Sequence, residues 1–352
     1  MPEFDRRGFL CTGLGAGSAL AACSLPAMAA TGNPARHFEV VTSVDLAPAG
    51  TADRLWLPLF QTDRAYQKRQ ALYWESDAAV RVLHDRASGA DVLYARWPSG
   101  SGPRKLTLTQ RVATWDRAPS AGLSRQERSR WLAGSAALPT DGIVGETARR
   151  IVGGLTDPKA KARAIYDWVI ANTWRDAATP GCGAGDIVGM LADHRMGGKC
   201  ADINSLMVGL CRAVGVPARD IYGVRLAPSH RFKSLGRAGG DVTTAQHCRA
   251  EVWFDREGWF PVDPADVRKA VLEEKLPVDS QPIRDLAETL FGGWESNWGG
   301  YNSASGLTLA DAPVAPQFHF LMYPAAMSDS ERANCLDAAN FAYKITSREI
   351  TA

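Results

Sequence analysis

Residues 197–226 read GGKCADINSLMVGLCRAVGVPARDIYGVRL, and the rest of the chain is organised around them. After the Gly197-Gly198 pair a single cysteine, Cys200, stands at the mouth of an apolar-periodic run. Ile203, Leu206, Met207, Leu210, Ala213 and Val214 fall at i, i+3, i+4, i+7 spacing, which predicts a helix with one buried stripe. Gly215 and Pro217 stop it. Cys200 then lies at the helix N-terminus, where unpaired backbone N–H groups and the macrodipole favour an anion. A thiol there is biased toward thiolate, the form that attacks carbonyls.

A nucleophilic thiol needs a base. Downstream, Gln246-His247-Cys248-Arg249-Ala250-Glu251-Val252-Trp253-Phe254 and Gly258-Trp259-Phe260-Pro261-Val262-Asp263 are two aromatic and β-branched runs around a short polar turn, which predicts a β-hairpin. One strand carries His247 and the other Asp263. If Phe254 paired with Trp259, Asp263 would oppose Ala250 and point away from His247. A shift of one residue opposes Asp263 to Arg249, a diagonal neighbour of His247 on the same face. That shift predicts a bulge or irregular turn near Gly258.

These three motifs, in this order, resemble the catalytic core of the transglutaminase-like superfamily, which includes transglutaminases, peptidases and amidases. The resemblance covers roughly residues 140–270. It implies a papain-like α+β fold with Cys200 as nucleophile, His247 as general base and Asp263 as the residue that orients the imidazole. The expected fold class is α+β: an antiparallel N-terminal β domain, then a transglutaminase-like core with the catalytic helix packed on an antiparallel sheet. The implied function is acyl transfer from amide bonds of peptides or proteins, to water or to an amine. A non-catalytic binding module on the same scaffold is the alternative. No cofactor or metal is expected. A zinc site from Cys182, Cys200, His247 and Cys248 lacks the CxxC or HxxxH spacing of such sites, and there is no EF-hand-like acidic loop.

The 352 residues suffice for two domains, and 45% hydrophobic with 22% charged residues is ordinary for a soluble globular protein. A net charge of +2 gives no reason to expect nucleic acid, and no apolar run of spanning length follows the N-terminus. Residues 1–29 read as a twin-arginine-type signal peptide, with Arg6-Arg7 before Phe9-Leu10, which predicts export to the periplasm. Ala27-Met28-Ala29 offers a soluble exit, and Leu20-Ala21-Ala22-Cys23 offers a possible lipid anchor at Cys23. Five cysteines remain after cleavage: Cys182, Cys200, Cys211, Cys248 and Cys335. An odd count suits one reactive thiol plus bridges. Cys248, on the strand face opposite His247, is expected to bridge to Cys182, with Cys335 the alternative partner.

Outside the core, residues 37–115 alternate in short segments, as a β-sandwich does, and residues 140–352 are assigned to the catalytic domain with a C-terminal extension. Ser124 to Glu127 has capping-box spacing. Asp157-Pro158 begins a helix whose inner stripe is Ala162, Ile165, Trp168, Val169 and Asn172. Trp174 is either core filling or an indole N–H donor to an oxyanion. Residues 228–244 form a polar insertion, either a solvated loop or a flap beside the site. Trp294, Trp298 and Tyr301 are either packing or a substrate wall. The segments 318–323 and 341–346 read as strands that close the catalytic sheet.

Overall fold

The computed structural model describes residues 34–46, 52–62, 64–85, 89–98, 102–119, 124–312, 317–329 and 331–351. The signal-peptide reading and Cys23 lie outside the described residues.

Six N-terminal strands, β1 (Arg36–Asp45), β2 (Arg54–Pro58), β3 (Gln67–Ser76), β4 (Ala79–Asp85), β5 (Ala90–Arg96) and β6 (Lys105–Thr114), follow the alternating segments of the sequence. After them come α1 (Arg125–Leu132), α2 (Gly142–Val152), α3 (Pro158–Asn172), β7 (Trp174–Arg175), α4 (Ile187–Ala192), β8 (Gly197–Gly198) and α5 (Cys200–Ala213). The chain continues through β9 (Ala218–Arg225), β10 (Gln246–Phe254), β11 (Gly258–Val262), α6 (Pro264–Glu273), α7 (Gln281–Thr289) and β12 (Trp298–Asn302). It ends with β13 (Leu307–Thr308), β14 (Gln317–Phe318), β15 (Ala325–Met327) and β16 (Ala342–Ile350).

The first six strands, joined by β15 and β16, form two four-stranded antiparallel sheets, ordered β16-β1-β6-β3 and β15-β2-β5-β4. Leu55, Leu57 and Leu93 meet Val44, Leu106 and Leu108 between them, and Ala326 and Phe341 join that core. The C-terminal segment therefore corrects the expectation from sequence. Of the two segments, 318–323 holds only the last residue of β14, which pairs with β13, whereas 342–350 pair with β1; with 325–327 on β2 the latter complete the sandwich rather than the catalytic sheet. Alternation identifies a strand but carries no information about which edge it joins.

The third sheet, β11-β10-β9-β12, is antiparallel. Every residue of β10 is buried. Helix α5 packs on β9 and β10, while Phe60 and Tyr66 of the sandwich stack against Tyr301, Trp294 and Trp298. This burial settles the aromatic cluster as packing.

Two helices differ from their predicted stripes. Helix α5 is buried on all sides from Cys200 to Arg212, not along one stripe. Its polar side chains are each engaged: Ser205 donates to Asp220 (3.0 Å) and Arg212 to the Ala218 carbonyl (2.8 Å). A helix surrounded by protein can carry polar residues if each finds a partner, and periodicity cannot distinguish that from a solvated face. In α3 the buried set is Ala162, Ile165, Tyr166, Val169 and Ile170. Asn172 is exposed and Trp168 half-buried, because the neighbours of α3 lie toward the Tyr166 side. The Asp157 cap (2.8 Å to the Ala160 N–H) and the Ser124–Glu127 capping box are both formed.

Candidate active site

Helix α5 begins at Cys200, and its start is held by an acidic side chain one turn in. The Asp202 carboxylate accepts from the Lys199 N–H (2.9 Å), the Ala184 N–H (2.9 Å) and the Gly185 N–H (2.8 Å). One carboxylate thus caps the helix and pins the preceding loop to it. Gly183 is required in that loop: its φ is +94°, and a Cβ would stand 1.8 Å from Asp202 Oδ2. The loop in turn places Cys182, whose carbonyl accepts from the Ala201 N–H (2.9 Å).

The hairpin adopts the even register. Ala250 opposes Val262 and Phe254 opposes Gly258. The odd residue is absorbed in the turn 255–257, and Gly258 takes a φ of +76°; the ladder itself is unbroken. Continuing the register sets Asp263 toward Arg249, whose Nε lies 3.6 Å from Asp263 Oδ2. His247 Nε2 meets Asp263 Oδ2 at 2.8 Å. Asp263 also N-caps α6, accepting from the Asp266 N–H at 3.1 Å. The same aspartate thus starts a helix and faces the imidazole.

Four further residues that sequence reasoning missed complete this cluster. Asn204, one turn beyond Cys200, donates to the Cys248 carbonyl (2.9 Å) and to Asp263 Oδ1 (3.2 Å), and accepts from the Ala265 N–H (3.3 Å). Asp266 Oδ1 lies 3.3 Å from His247 Nε2, and Arg225 is bound to both oxygens of Asp266. Trp298 donates its indole N–H to the His247 carbonyl (2.9 Å). The i+4 spacing of Asn204 from Cys200 and the i+3 spacing of Asp266 from Asp263 were the available signals. Arg225 and Trp298 arrive from separate strands and left none.

Cys200, 3% exposed, lines one cleft with Cys182 and His247, and the Cys182, Cys248 and His247 side chains each favour its thiolate. Donation from Cys182 and Cys248 outweighs the burial penalty and, with His247, holds the Cys200 thiol well below its ordinary value. Burial and Arg225 disfavour the imidazolium, yet Asp266 and Asp263 outweigh them and raise His247 to about 10. Burial opposes ionisation of Asp266, but Arg225 and His247 hold it well below the usual carboxylate range. The expected Cys182–Cys248 bridge is corrected: all five described cysteines are free thiols, and Cys182 and Cys248 each turn toward Cys200. Cys182 Sγ also donates to the Gln246 carbonyl at 3.3 Å.

His247, Asp263 and Asp266 bring donor atoms within 4.8 Å of one another. Guanidinium groups occupy the cation positions beside these carboxylates, Arg225 on Asp266 and Arg249 beside Asp263, so the cluster reads as an ion-pair network rather than a metal centre.

A cleft of about 600 Å³ reaches Cys182, Cys200 and His247. One wall is the polar insertion, through Ser234, Gly236, Arg237 and Thr244, and another is the C-terminal segment, through Leu336, Phe341 and Tyr343. The insertion is therefore a wall of the cleft and not a free loop. Trp174 fits neither reading: it is 48% exposed and lies over Gly197, in a separate depression with Asp202.

The family model described as the transglutaminase-like superfamily matches residues 145–264, which span α5 and the hairpin. The chain belongs to the transglutaminase-like superfamily. An uncharacterized protein from Haemophilus influenzae is 33% identical over 361 residues, 94% of this chain and 98% of that protein. A protein-glutamine gamma-glutamyltransferase from Pseudomonas aeruginosa is 28% identical over 199 residues, 52% of this chain but only 28% of that protein. Among solved structures, a candidate cysteine protease from Cytophaga hutchinsonii superposes with a TM-score of 0.51 at 15% identity, covering 90% of this chain and 99% of that one. At that identity the likeness shows the fold alone. Among the described residues, no helix is long and apolar enough to cross a membrane.

Proposed function

We propose that this member of the transglutaminase-like superfamily is an exported, thiol-dependent acyl-transfer enzyme that acts on amide bonds of peptides or proteins through Cys200, His247 and Asp263. The supporting observation is a thiol held below its ordinary pKa at a helix start, beside an imidazole bound 2.8 Å from a buried carboxylate, at a cleft. Asp263 occupies Nε2, which leaves Nδ1 to exchange a proton with the thiol. The Cys200 thiolate attacks the amide carbonyl, and the Cys200 N–H at the first turn of α5 stabilises the oxyanion. The imidazolium then protonates the departing amine, leaving an acyl-thioester. Water or a second amine, activated by His247, releases the acyl group. Export rests on the N-terminal arginine pair and apolar stretch.

The test is trapping with a peptidyl aldehyde or iodoacetamide, read by intact mass and peptide mapping. Adducts are expected on Cys200, and they should vanish in Cys200→Ser and slow by at least about a hundredfold in His247→Ala. Modification that persists at another cysteine in Cys200→Ser would overturn the assignment.

A further inference from the structure

The cleft is lined by hydrogen-bond donors far more than acceptors. Arg175, Lys199, Arg237 and Lys269 line it beside the buried Arg225–Asp266 pair, against one lining carboxylate, Glu273. Glu273 is already shared by Arg175 (3.0 Å) and Lys269, so its charge is spent. The Lys199 ammonium has no ion-pair or hydrogen-bond partner among the described residues, its backbone N–H alone being taken up by Asp202. Arg237 donates only to neutral oxygens, the Asp241 carbonyl (3.1 Å) and Thr244 Oγ1 (3.1 Å). The Lys269 ammonium is disfavoured first by burial and then by Arg225, against which Glu273 supports it.

A second, independent observation points to a ligand. Gln246, 8% exposed, lines the cleft with Nε2 lacking any partner, and Ser234 Oγ on the facing wall is likewise buried and unpaired. A buried donor without an acceptor is costly, and the one carboxylate that lines the cleft, Glu273, is already taken up by Arg175 and Lys269. The group that matches several converging donors and surplus positive charge is an acceptor-only anion of carboxylate size.

We propose that this cleft is a carboxylate subsite, and that the acyl donor presented to Cys200 is an acidic peptide whose carboxylate is held by Lys199, Arg237 and the Gln246 amide. The proposal rests on the acyl-transfer reading for its orientation toward Cys200, but its test does not depend on turnover. Acetylated, amidated penta-alanine peptides carrying one Glu, walked through the five positions, are compared with their Gln counterparts. Penta-alanine free acid against its amide forms the second arm and distinguishes a side-chain carboxylate from a chain terminus. Binding is measured by calorimetry or fluorescence on both the wild-type chain and Cys200→Ala.

In one arm the acid is expected to bind about tenfold more tightly than the neutral peptide, with the preference weakening as salt rises. Lys199→Gln and Arg237→Gln should each shrink that preference several-fold while binding of the neutral peptide is unchanged, and Gln246→Leu should shrink it as well. Equal binding of acid and neutral peptides in both arms, preference for Gln over Glu, or a preference that survives Lys199→Gln with Arg237→Gln would overturn it. Iodoacetamide labelling of Cys200 in the wild type reports the acyl-transfer reading separately.

Discussion

At the residue scale, the site depends on proton positions. His247, raised to about 10, keeps its proton through neutral pH, whereas Cys200, held well below its ordinary value, loses its own. The reactive ion pair therefore spans the interval between those two values. The alkylation rate with neutral iodoacetamide is expected to hold its plateau well below pH 8.5, the ordinary thiol value of about 8.5; a rate that rises only through that value would contradict the assignment. Stability follows the same linkage. A raised histidine contributes stabilisation that is full below its unfolded value of about 6.5 and lost as pH rises through the folded value. Up to the ordinary thiol value of about 8.5 the proton His247 retains is offset by the one Cys200 has lost, so urea midpoints should fall mainly between about pH 8.5 and pH 10.5, and His247→Gln should flatten that slope. Asp266 is bound by Arg225 in the interior, so Arg225→Met strips the buried carboxylate of its closest cation and leaves it only His247 at 3.3 Å. That substitution is expected to cost about 3–5 kcal/mol in urea denaturation.

At the scale of elements, α5 links Cys200 to the hairpin. Asn204 ties the helix to β10 through the Cys248 carbonyl and to α6 through Asp263 and the Ala265 N–H. Asn204→Ala removes the partner of the Ala265 N–H and a donor each from the Cys248 carbonyl and from Asp263 Oδ1, which keeps the Asp266 N–H, and a loss of about 1–3 kcal/mol is expected, together with slower Cys200 alkylation as Asp263 loosens. Asn204→Ala with unchanged stability would show that those groups repartner. The loop before the helix is constrained more tightly. Gly183→Ala meets both the positive φ and the Asp202 carboxylate, so it should cost more than the roughly 1–2 kcal/mol of backbone strain alone. Hydrogen exchange would register the change as lost protection at residues 184 and 185, whose N–H groups Asp202 holds.

At the scale of the whole molecule, the chain ends return to its beginning. Strand β16 pairs with β1 from Asp45↔Ala342 to His37↔Ile350, and the segment before it walls the cleft. Truncation before residue 342 is expected to abolish cooperative unfolding rather than to trim a tail, and residues 34–118 expressed alone should not fold. A sharp two-state melt of either fragment would refute this. Arg117, just past the sandwich, binds Glu251 of β10 at 2.6 Å, and Arg219 holds the other oxygen at 2.7 Å. This buried triad joins the linker to the third sheet, so Arg117→Ala should destabilise both parts in one transition.

What the sequence determined by itself was local. The start of α5 at Cys200, the Asp157 and Ser124 caps, and the even hairpin register all follow from interactions between residues close along the chain. The register was legible because only one parity lets Asp263 face His247, and Gly258 could absorb the odd residue. Tertiary structure decided the rest. It determined that α5 has no solvated face, that β15 and β16 join the sandwich, and that Cys182 and Cys248 both turn to Cys200. It also set Arg225, Asn204, Asp266 and Trp298 around His247. Each of these depends on which surfaces meet across long sequence separations, and a one-dimensional pattern of apolar and polar residues records that a face is covered without recording what covers it.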